Sequence, residues 1–180
     1  MQKRKYEIHL EPFTETDFDT LIVWVNNEKE LVLFSGPVFR FPLTHDQLQA
    51  HAADTARHLF KVIHTATGRT IGHGEVLVKP DHTCRLCNIL IGDKLFRGKG
   101  YGKQMTLLLT EWGFANPGVQ EVDLNVYDFN TAAIKNYESC GFRIAGTNEL
   151  PTPVNGENWF SYRMLVTRDR FFTTLNTMQY

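Results

Sequence analysis

Three alternating glycines stand between an apolar stretch and an amphipathic stretch, and this arrangement restricts the chain to a strand–loop–helix unit. Residues 97–102 read Arg-Gly-Lys-Gly-Tyr-Gly. Glycines at alternate positions let a backbone curl without side-chain obstruction, and loop amides followed by a helix N-terminus form an anion site. Arg97, Lys99 and Lys103 add positive charge. The segment predicts a site for a pyrophosphate or a phosphorylated cofactor.

The glycine spacing separates this loop from two common phosphate-binding motifs. A dinucleotide fingerprint reads G-x-G-x-x-G and a nucleotide P-loop reads G-x-x-x-x-G-K-[ST]; Gly98-x-Gly100-x-Gly102 matches neither. Gln104 follows Lys103 where a P-loop needs Ser or Thr for magnesium. The motif therefore argues against a nucleotide-binding protein. Taken alone, the loop is explained equally well as a glycine-rich turn without a ligand.

A second segment, residues 126–142, decides between these interpretations. It reads as a strand end followed by a short helix and a Gly-Phe pair. Together with the glycine loop it resembles the GNAT superfamily of acetyl-CoA-dependent N-acetyltransferases. One helix and one strand separate the two motifs, as the resemblance requires. The residues that carry it are Arg97-x-x-Gly100-x-Gly102, then Asn130, Ala133, Tyr137 and Gly141-Phe142.

Further segments resemble one branch of that superfamily, the Rim-type branch, which includes ribosomal-protein alanine acetyltransferases. The resemblance covers roughly residues 6–166, nearly the whole chain. The segments are Trp24-Val25-Asn26-Asn27, Phe41-Pro42-Leu43-Thr44, Gly72-His73-Gly74-Glu75 and Ile89-Leu90-Ile91-Gly92-Asp93.

The resemblance implies a single-domain α/β (α+β) GNAT fold over residues 1–180, with its core at about 6–166 and a C-terminal extension at 167–180. A strongly bent mixed sheet is expected, splayed between the fourth and fifth strands and flanked by helices. Periodicity and turn residues predict the elements. Strands are expected at 4–11, 59–66, 70–79, 83–92, 121–127, 142–147 and 159–167, helices from Thr14, over 44–58, 101–115 and 131–140, an irregular segment with at most one short helix at 31–43, and a loop at 148–158.

Composition bounds the function class. A chain of 180 residues suits one domain with a substantial core, and a net charge of −1 gives no support for a nucleic-acid partner. No apolar run approaches the roughly 20 residues of a membrane span, and the N-terminus lacks a signal-peptide pattern, so a cytoplasmic protein is expected. Cys84-x-x-Cys87 invites a zinc site, but positions three apart on a strand point to opposite faces. No metal is expected.

The resemblance implies that acetyl-CoA lies between residues 89–93 and 122–127. Pantetheine would pair with the open edge of residues 90–92, a backbone N–H near Gly92 would stabilise the oxyanion, and the loop amides would hold the pyrophosphate. Asn130 would bond the cofactor arm or simply cap its helix. The cofactor-binding residues expected are Leu90, Ile91, Gly92, Arg97, Gly98, Lys99, Gly100, Tyr101, Gly102, Lys103, Asn125 and Asn130.

Tyr137 matches the family's general acid, which protonates the departing thiolate; core packing is the alternative explanation of this residue. Several GNAT enzymes carry a Glu base on the fifth strand, where this chain has Asn125, which cannot accept a proton but could order a water. Glu75 is the best remaining carboxylate, with a solvated strand position as its alternative role. His73 is a further candidate base.

The missing carboxylate favours an acceptor that needs little deprotonation. An α-amine is neutral in roughly one molecule in ten at pH 7, and a lysine side chain in roughly one per thousand. The expected partners are therefore acetyl-CoA and a protein N-terminus or small-molecule amine. A catalytically silent acyl-CoA sensor is the alternative. Phe171, Phe172, Leu175 and Tyr180 could pack on a second subunit, giving a homodimer, or fold back on their own sheet.

Overall fold

A seven-stranded sheet lies at the centre of the computed structural model, which describes residues 6–178. The strand order is β1-β2-β3-β4-β5-β9-β6, and every neighbouring pair is antiparallel except β4 and β5. The strands are β1 (Ile8–Pro12), β2 (Arg57–His64), β3 (Arg69–Val78), β4 (Thr83–Ile91), β5 (Glu121–Tyr127), β6 (Arg143–Thr147), β7 (Thr152–Val154), β8 (Glu157–Trp159) and β9 (Ser161–Thr167).

Six α-helices of the described residues surround this sheet. The predicted helix over 44–58 ends earlier, at Ala52. The short helix expected within the irregular segment 31–43 is longer than predicted, since it begins before that segment, at Glu28, and ends at Ser35. The predicted strand at 4–11 starts at Ile8, and residues 4–5 lie outside the described residues. The helices are α1 (Phe18–Trp24), α2 (Glu28–Ser35), α3 (His45–Ala52), α4 (Tyr101–Ala115), α5 (Thr131–Ser139) and α6 (Arg168–Thr177).

The parallel pair β4–β5 opens the sheet at its middle. Residues Thr83 to Leu86 pair with Glu121 to Leu124, and no pairing continues beyond them. Both strands run on for several residues, so their carboxyl ends separate and leave backbone groups unpaired along the gap. The splay predicted between the fourth and fifth strands is confirmed.

Helix α4 closes one face of the sheet and follows the glycine loop directly. Its observed bounds, Tyr101–Ala115, are those predicted. Met105 and Leu109 are fully buried in the main core, while Leu108 and Trp112 are only half-buried. A spacing of four residues puts Met105 and Leu109 on one side of the helix, and this side packs on the sheet.

The N-terminal helices form a second apolar cluster that covers the open part of the sheet. Phe18, Leu31 and Phe34 belong to it, and Trp24 and Leu90 pack against it from its edge. At Thr14, where the first helix was predicted to begin, the backbone N–H donates to Asp17 Oδ2 at 2.9 Å. These helices therefore bring α2 over the gap between β4 and β5.

The C-terminal helix α6 folds back on its own sheet. Phe171 is fully buried, and its ring lies 5.4 Å from that of Phe114, whereas Phe172 stays partly exposed. Tyr180 lies outside the described residues. The predicted loop at 148–158 contains the small antiparallel hairpin β7–β8. Within residues 6–178, no helix combines the length and apolar character needed to cross a bilayer.

Candidate active site

Two chambers lie on either side of the gap between β4 and β5. The glycine-loop chamber has a volume of about 540 Å³ and is bounded by the end of β4, the glycine loop and α5. The sheet chamber has a volume of about 450 Å³ and is bounded by β4, β5 and the segment after α2. They meet at a junction of six residues that line both, namely Leu33, Phe34, Ile89, Asn130, Ala133 and Tyr137.

The glycine loop presents an array of backbone amides. Gly98 and Gly100 have φ values of 72° and 85°, a conformation that favours glycine, and Gly100 caps α4. In the described part of the chain, the amides of residues 98–102 have no hydrogen-bond partner. A Cβ built at Gly98, Gly100 or Gly102 meets nothing within 4 Å. The loop can therefore hold an anion as large as a diphosphate by main-chain donors.

The cationic side chains predicted around this loop, Arg97 and Lys99 among them, make different contacts. Arg97 turns away from the amides to the end of β4, and the Lys99 ammonium lies 5.8 Å from the centre of the Phe96 ring. Tyr101 is buried, and its hydroxyl lies 3.2 Å from His64 Nε2, so its side chain belongs to the core. Only the main chain of Tyr101 is available to a ligand in the chamber.

The exposed edge of β4 differs in detail from the expectation. The Gly92 N–H donates to the Ile71 carbonyl at 3.0 Å, so this amide is already used. The register pairs Leu90 with His73, which directs the Leu90 amide to β3 as well. Ile91 alternates with these residues and faces the gap. The amides expected at Leu90 and Gly92 are therefore unavailable to a ligand, and residues 89 and 91 provide the open edge.

Gly92 is required by packing instead. A Cβ built at this position would lie 1.9 Å from Cδ2 of Trp24. The indole therefore rests directly on the backbone at the end of β4, and Trp24 in turn lines the glycine-loop chamber. Glycine allows this close approach because it has no side chain.

Tyr137 occupies the junction of the two chambers. It is 8% exposed, and burial raises the pKa of its phenol. Among the described residues its hydroxyl has no hydrogen-bond partner. Asn130 caps α5, accepting from the Ala133 N–H at 3.2 Å, and also lines both chambers. The two roles considered for Asn130 are thus compatible.

Asn125 lies elsewhere than expected. It is exposed on β5 and lines the sheet chamber, not the glycine-loop chamber. The reason is the splay, because β5 diverges from the edge of β4 that leads to the glycine loop. Asn125 therefore lies apart from the glycine loop, and its part in cofactor binding stays a prediction.

Glu75 is not a solvated strand residue and does not line either chamber. It is 1% exposed and accepts hydrogen bonds from His51 Nε2 at 2.9 Å, His73 Nε2 at 3.1 Å and Asn88 Nδ2 at 2.7 Å. Burial would raise its pKa, but the bonds from His51 and His73 outweigh burial and hold the pKa well below its usual range. A carboxylate so strongly held is a weak base, which corrects its expected catalytic role.

No sequence pattern indicated this buried network beyond His73 and Glu75. Arg57 Nη1 contributes a longer contact to Glu75 at 3.4 Å, and Asn88 takes a positive φ of 49° where β4 shifts register against β3. His73 is fully buried, and its Nδ1 has no hydrogen-bond partner within the part of the chain that the structure describes. The network joins α3 to the sheet behind the wall of the sheet chamber, so His73 does not reach the gap.

The cysteines are arranged as separate thiols. Cys84 donates towards the Gly113 carbonyl under α4, whereas Cys87 lines the sheet chamber. They therefore point to opposite faces, and among residues 6–178 no three His, Cys, Asp or Glu side chains are arranged so that they could hold a metal ion. Burial raises the pKa of Cys87 to about 11, so its thiol stays protonated and is a poor nucleophile at neutral pH.

Relatives with solved structures share the whole fold. The spermidine N-acetyltransferase of Vibrio cholerae, solved with CoA and spermine, is 21% identical, with a TM-score of 0.78 over 92% of this chain and 98% of that chain. Aminoglycoside acetyltransferase AAC(6')-Ib, solved with coenzyme A, is 23% identical, with a TM-score of 0.75 over 93% and 99%. At these identities the likeness establishes the fold.

Sequence comparison establishes the family. The prophage-derived uncharacterized N-acetyltransferase YokL of Bacillus subtilis is 37% identical over 51 residues, a match that spans 28% of this chain and 29% of that protein. The family model described as an acetyltransferase (GNAT) domain matches residues 7–143, well over half of the chain. With the splayed sheet and the glycine loop already in place, the chain belongs to the GNAT acetyltransferase family.

Proposed function

We propose that this acetyltransferase moves the acetyl group of acetyl-CoA directly to a primary amine, with residues 1–180 acting as one domain. The observation that carries the proposal is the position of Tyr137 where the two chambers meet. Acetyl-CoA would enter through the glycine-loop chamber and the amine through the sheet chamber. Both reactants would then reach one phenol.

The glycine-loop chamber suits the cofactor. The amides of residues 98–102 would hold the diphosphate, and pantetheine would lie along the open edge of β4 at Ile91. Ile89 lines the junction, and residues 89 and 91 provide the open edge of β4. We assign the backbone amide of Ile89 or Ile91 as the donor to the thioester oxyanion. Asn130, at the same junction, would bond the pantetheine arm.

The chemistry would be a direct transfer from thioester to amine, through a tetrahedral oxyanion and without an acetyl-enzyme intermediate. The neutral amine attacks the thioester carbonyl, the C–S bond breaks, and Tyr137 gives its proton to the departing thiolate. The amine must lose one proton, and an ordered water beside Asn125 could carry it away. An acetyl-cysteine intermediate is disfavoured, because Cys87 is protonated at neutral pH.

Two kinds of similarity support two different classes of amine substrate. Resemblance to the Rim-type branch supports a protein N-terminal α-amine, while the names of the structural relatives, spermidine and aminoglycoside acetyltransferases, support a small-molecule amine. An α-amine needs less help with deprotonation than a lysine side chain. The lining of the sheet chamber agrees with a preference for an α-amine, because none of the lining residues within 6–178 is Asp, Glu or His.

That missing base also supports a second candidate, a GNAT scaffold that binds acyl-CoA without transferring it. Thiol release from acetyl-CoA separates the two functions. The assay would include N-terminal peptides, polyamines, aminoglycosides and free amino acids, and would compare wild type with Tyr137→Phe. Amine-dependent release that falls about 10²- to 10⁴-fold in the variant, with CoA binding unchanged, is expected for the transferase. CoA binding without release from any amine would favour the sensor.

A further inference from the structure

The sheet chamber carries charge of one sign. Among the described residues, its lining contains Arg57 and Arg85 but no Asp or Glu. The register explains the pair, since Arg57 lies opposite Leu77 and Leu77 opposite Arg85. Directly opposed residues point to the same face of a sheet, so the two arginines flank Leu77 at a backbone distance of about 10 Å.

Arg85 keeps part of its donor capacity for a ligand. Its Nε and Nη2 donate to the two carboxylate oxygens of Asp123 at 2.7 and 2.8 Å. A guanidinium has five N–H donors, and the Arg85 side chain is 31% exposed, so Nη1 can face the chamber. Arg57 is similarly tethered, to Asp54 and Glu75, at 19% exposure.

The cations of the cluster around Arg85 are balanced by carboxylates that lie outside the chamber lining. Lys79, Arg85 and Arg163 all contact Asp123, and Arg163 also contacts Glu121. Asp81 acts electrostatically on both Lys79 and Arg85. Burial would raise the pKa of Asp123, but the bonds from Arg85 and Arg163 lower it to about 2, so this carboxylate stays charged and holds the Arg85 guanidinium in place.

The two arginines in the chamber lining select among amines. A polyamine or aminoglycoside placed with one amine at Tyr137 would bring further ammonium groups into a chamber that offers them no carboxylate. A carboxylate would instead meet an anchored guanidinium, which binds that shape well. Repulsion of polycationic amines and attraction of amines that carry a carboxylate together give specificity.

The distance between Arg85 and the junction of the two chambers limits the shape of the substrate. Arg85 and the junction residue Ile89 are four residues apart on β4, a backbone distance of about 13 Å. The arginine side chain can lean along the strand and shorten this distance. The anionic group would therefore lie several bonds from the reacting amine, farther than in a free α-amino acid.

Resting on the proposed function, we infer that the acceptor is an amine bearing a carboxylate several bonds away, as at the N-terminus of a short peptide, and that Arg85, assisted by Arg57, binds that carboxylate. The matched probes are the tripeptide Ala-Ala-Ala with a free C-terminal carboxylate and the same peptide with a C-terminal amide. Spermidine is the third probe. All three are measured as kcat/KM in the thiol-release assay.

The free-acid peptide is expected to exceed the amide by about 10-fold or more, as for a hydrogen bond to a charged group. Arg85→Gln should abolish most of that preference. Arg163→Gln is the matched control, because it loses the same partner, Asp123, without lining the chamber. Arg85→Lys, which retains a cation for Asp123, should fold and keep only part of the preference.

If spermidine or the peptide amide is turned over as fast as the free-acid peptide, the proposed carboxylate site at Arg85 is overturned. The acetyltransferase proposal would remain intact in that case. A preference that survives Arg85→Gln would overturn the role of this residue. Calorimetry of both peptides on the CoA-saturated protein gives a readout without turnover. Tighter binding of the acid, lost in Arg85→Gln, supports the acid site even if no acetyl group is transferred.

Discussion

The guanidinium of Arg97 donates from Nε to the Ile91 carbonyl at 2.8 Å, and from Nη2 to the Gly92 carbonyl at 3.3 Å. The first residue of the glycine loop is thereby tied to the open edge of β4. This contact sets the loop's distance from the strand, so the diphosphate and pantetheine positions of the proposed cofactor site are linked.

Replacing Arg97 should therefore weaken binding of the whole cofactor. Arg97→Ala loses the tether and one cation near the loop, and we expect the Kd for CoA to rise about 10-fold. Acetyl-pantetheine, which lacks the diphosphate, serves as the comparison in turnover assays and should lose much less. Equal losses for both compounds would mean that Arg97 acts through the strand edge alone.

A methyl group at Gly92 should displace Trp24, a side chain that lines the glycine-loop chamber. Gly92→Ala forces Trp24 away, and overpacking of this kind costs about 1–3 kcal/mol. Gly102→Ala is the control for stability, because its Cβ meets open space and should leave Tm unchanged or higher. Trp24→Leu in the Gly92→Ala background should restore Tm. A stable Gly92→Ala protein with intact Trp24 fluorescence would contradict the packing argument.

The phenol of Tyr137 should remain a proton donor at alkaline pH. Burial raises its pKa above the usual value near 10, so the protonated form persists where an exposed tyrosine would begin to ionise. We expect kcat at saturating substrates to show no alkaline decline below about pH 10. A decline with a midpoint near pH 8, absent in Tyr137→Phe, would show that the phenol ionises earlier than its environment implies.

Glu75 should matter for stability more than for turnover. Glu75→Gln leaves buried donors without their charged partner, and removal of one member of a buried pair costs about 3–5 kcal/mol. Glu11→Gln, in an exposed pair on β1, should change the free energy of unfolding by less than about 1 kcal/mol. A kcat that collapses while Tm is unchanged would restore Glu75 as the base.

The lowered pKa of Glu75 also gives stability a definite pH dependence. The folded protein binds the Glu75 proton less tightly than the unfolded chain, so this contribution is complete above the unfolded pKa near 4.3 and is lost as the pH falls below it. Thermal melts of wild type should therefore decline on acidification below about pH 4.3, and those of Glu75→Gln should decline less.

Local patterns predicted the parts of the fold that depend on short-range signals. Helix α4 and strand β5 were predicted with their observed bounds, because an apolar stripe and clear end signals delimit them. The hairpin β7–β8 was missed since Pro153 and Gly156 are typical of loops. Helix α2 was predicted only as one short helix within an irregular segment, because Gly36-Pro37 dominated the interpretation. Its start was missed, although Asn27 Oδ1 accepts a hydrogen bond from the Glu30 N–H and so caps the helix.

The site was predictable where a motif carried it and not where register decided it. The glycine loop and Tyr137 lie together at the gap, as the two motifs implied. Glu75 could not be placed, because its burial depends on His51 arriving from a helix more than 20 residues away in sequence. Arg85 had no local signal at all; its importance comes from the row of residues that crosses β2, β3 and β4.

The meeting of two separately opening chambers at Tyr137 has a consequence for product inhibition. In the proposed arrangement free CoA would leave through the glycine-loop chamber and the acetylated amine through the sheet chamber, so that neither product would block the other's exit. Free CoA should then compete with acetyl-CoA and not with the amine. The acetylated product should compete with the amine alone, so that each opening reports on one substrate.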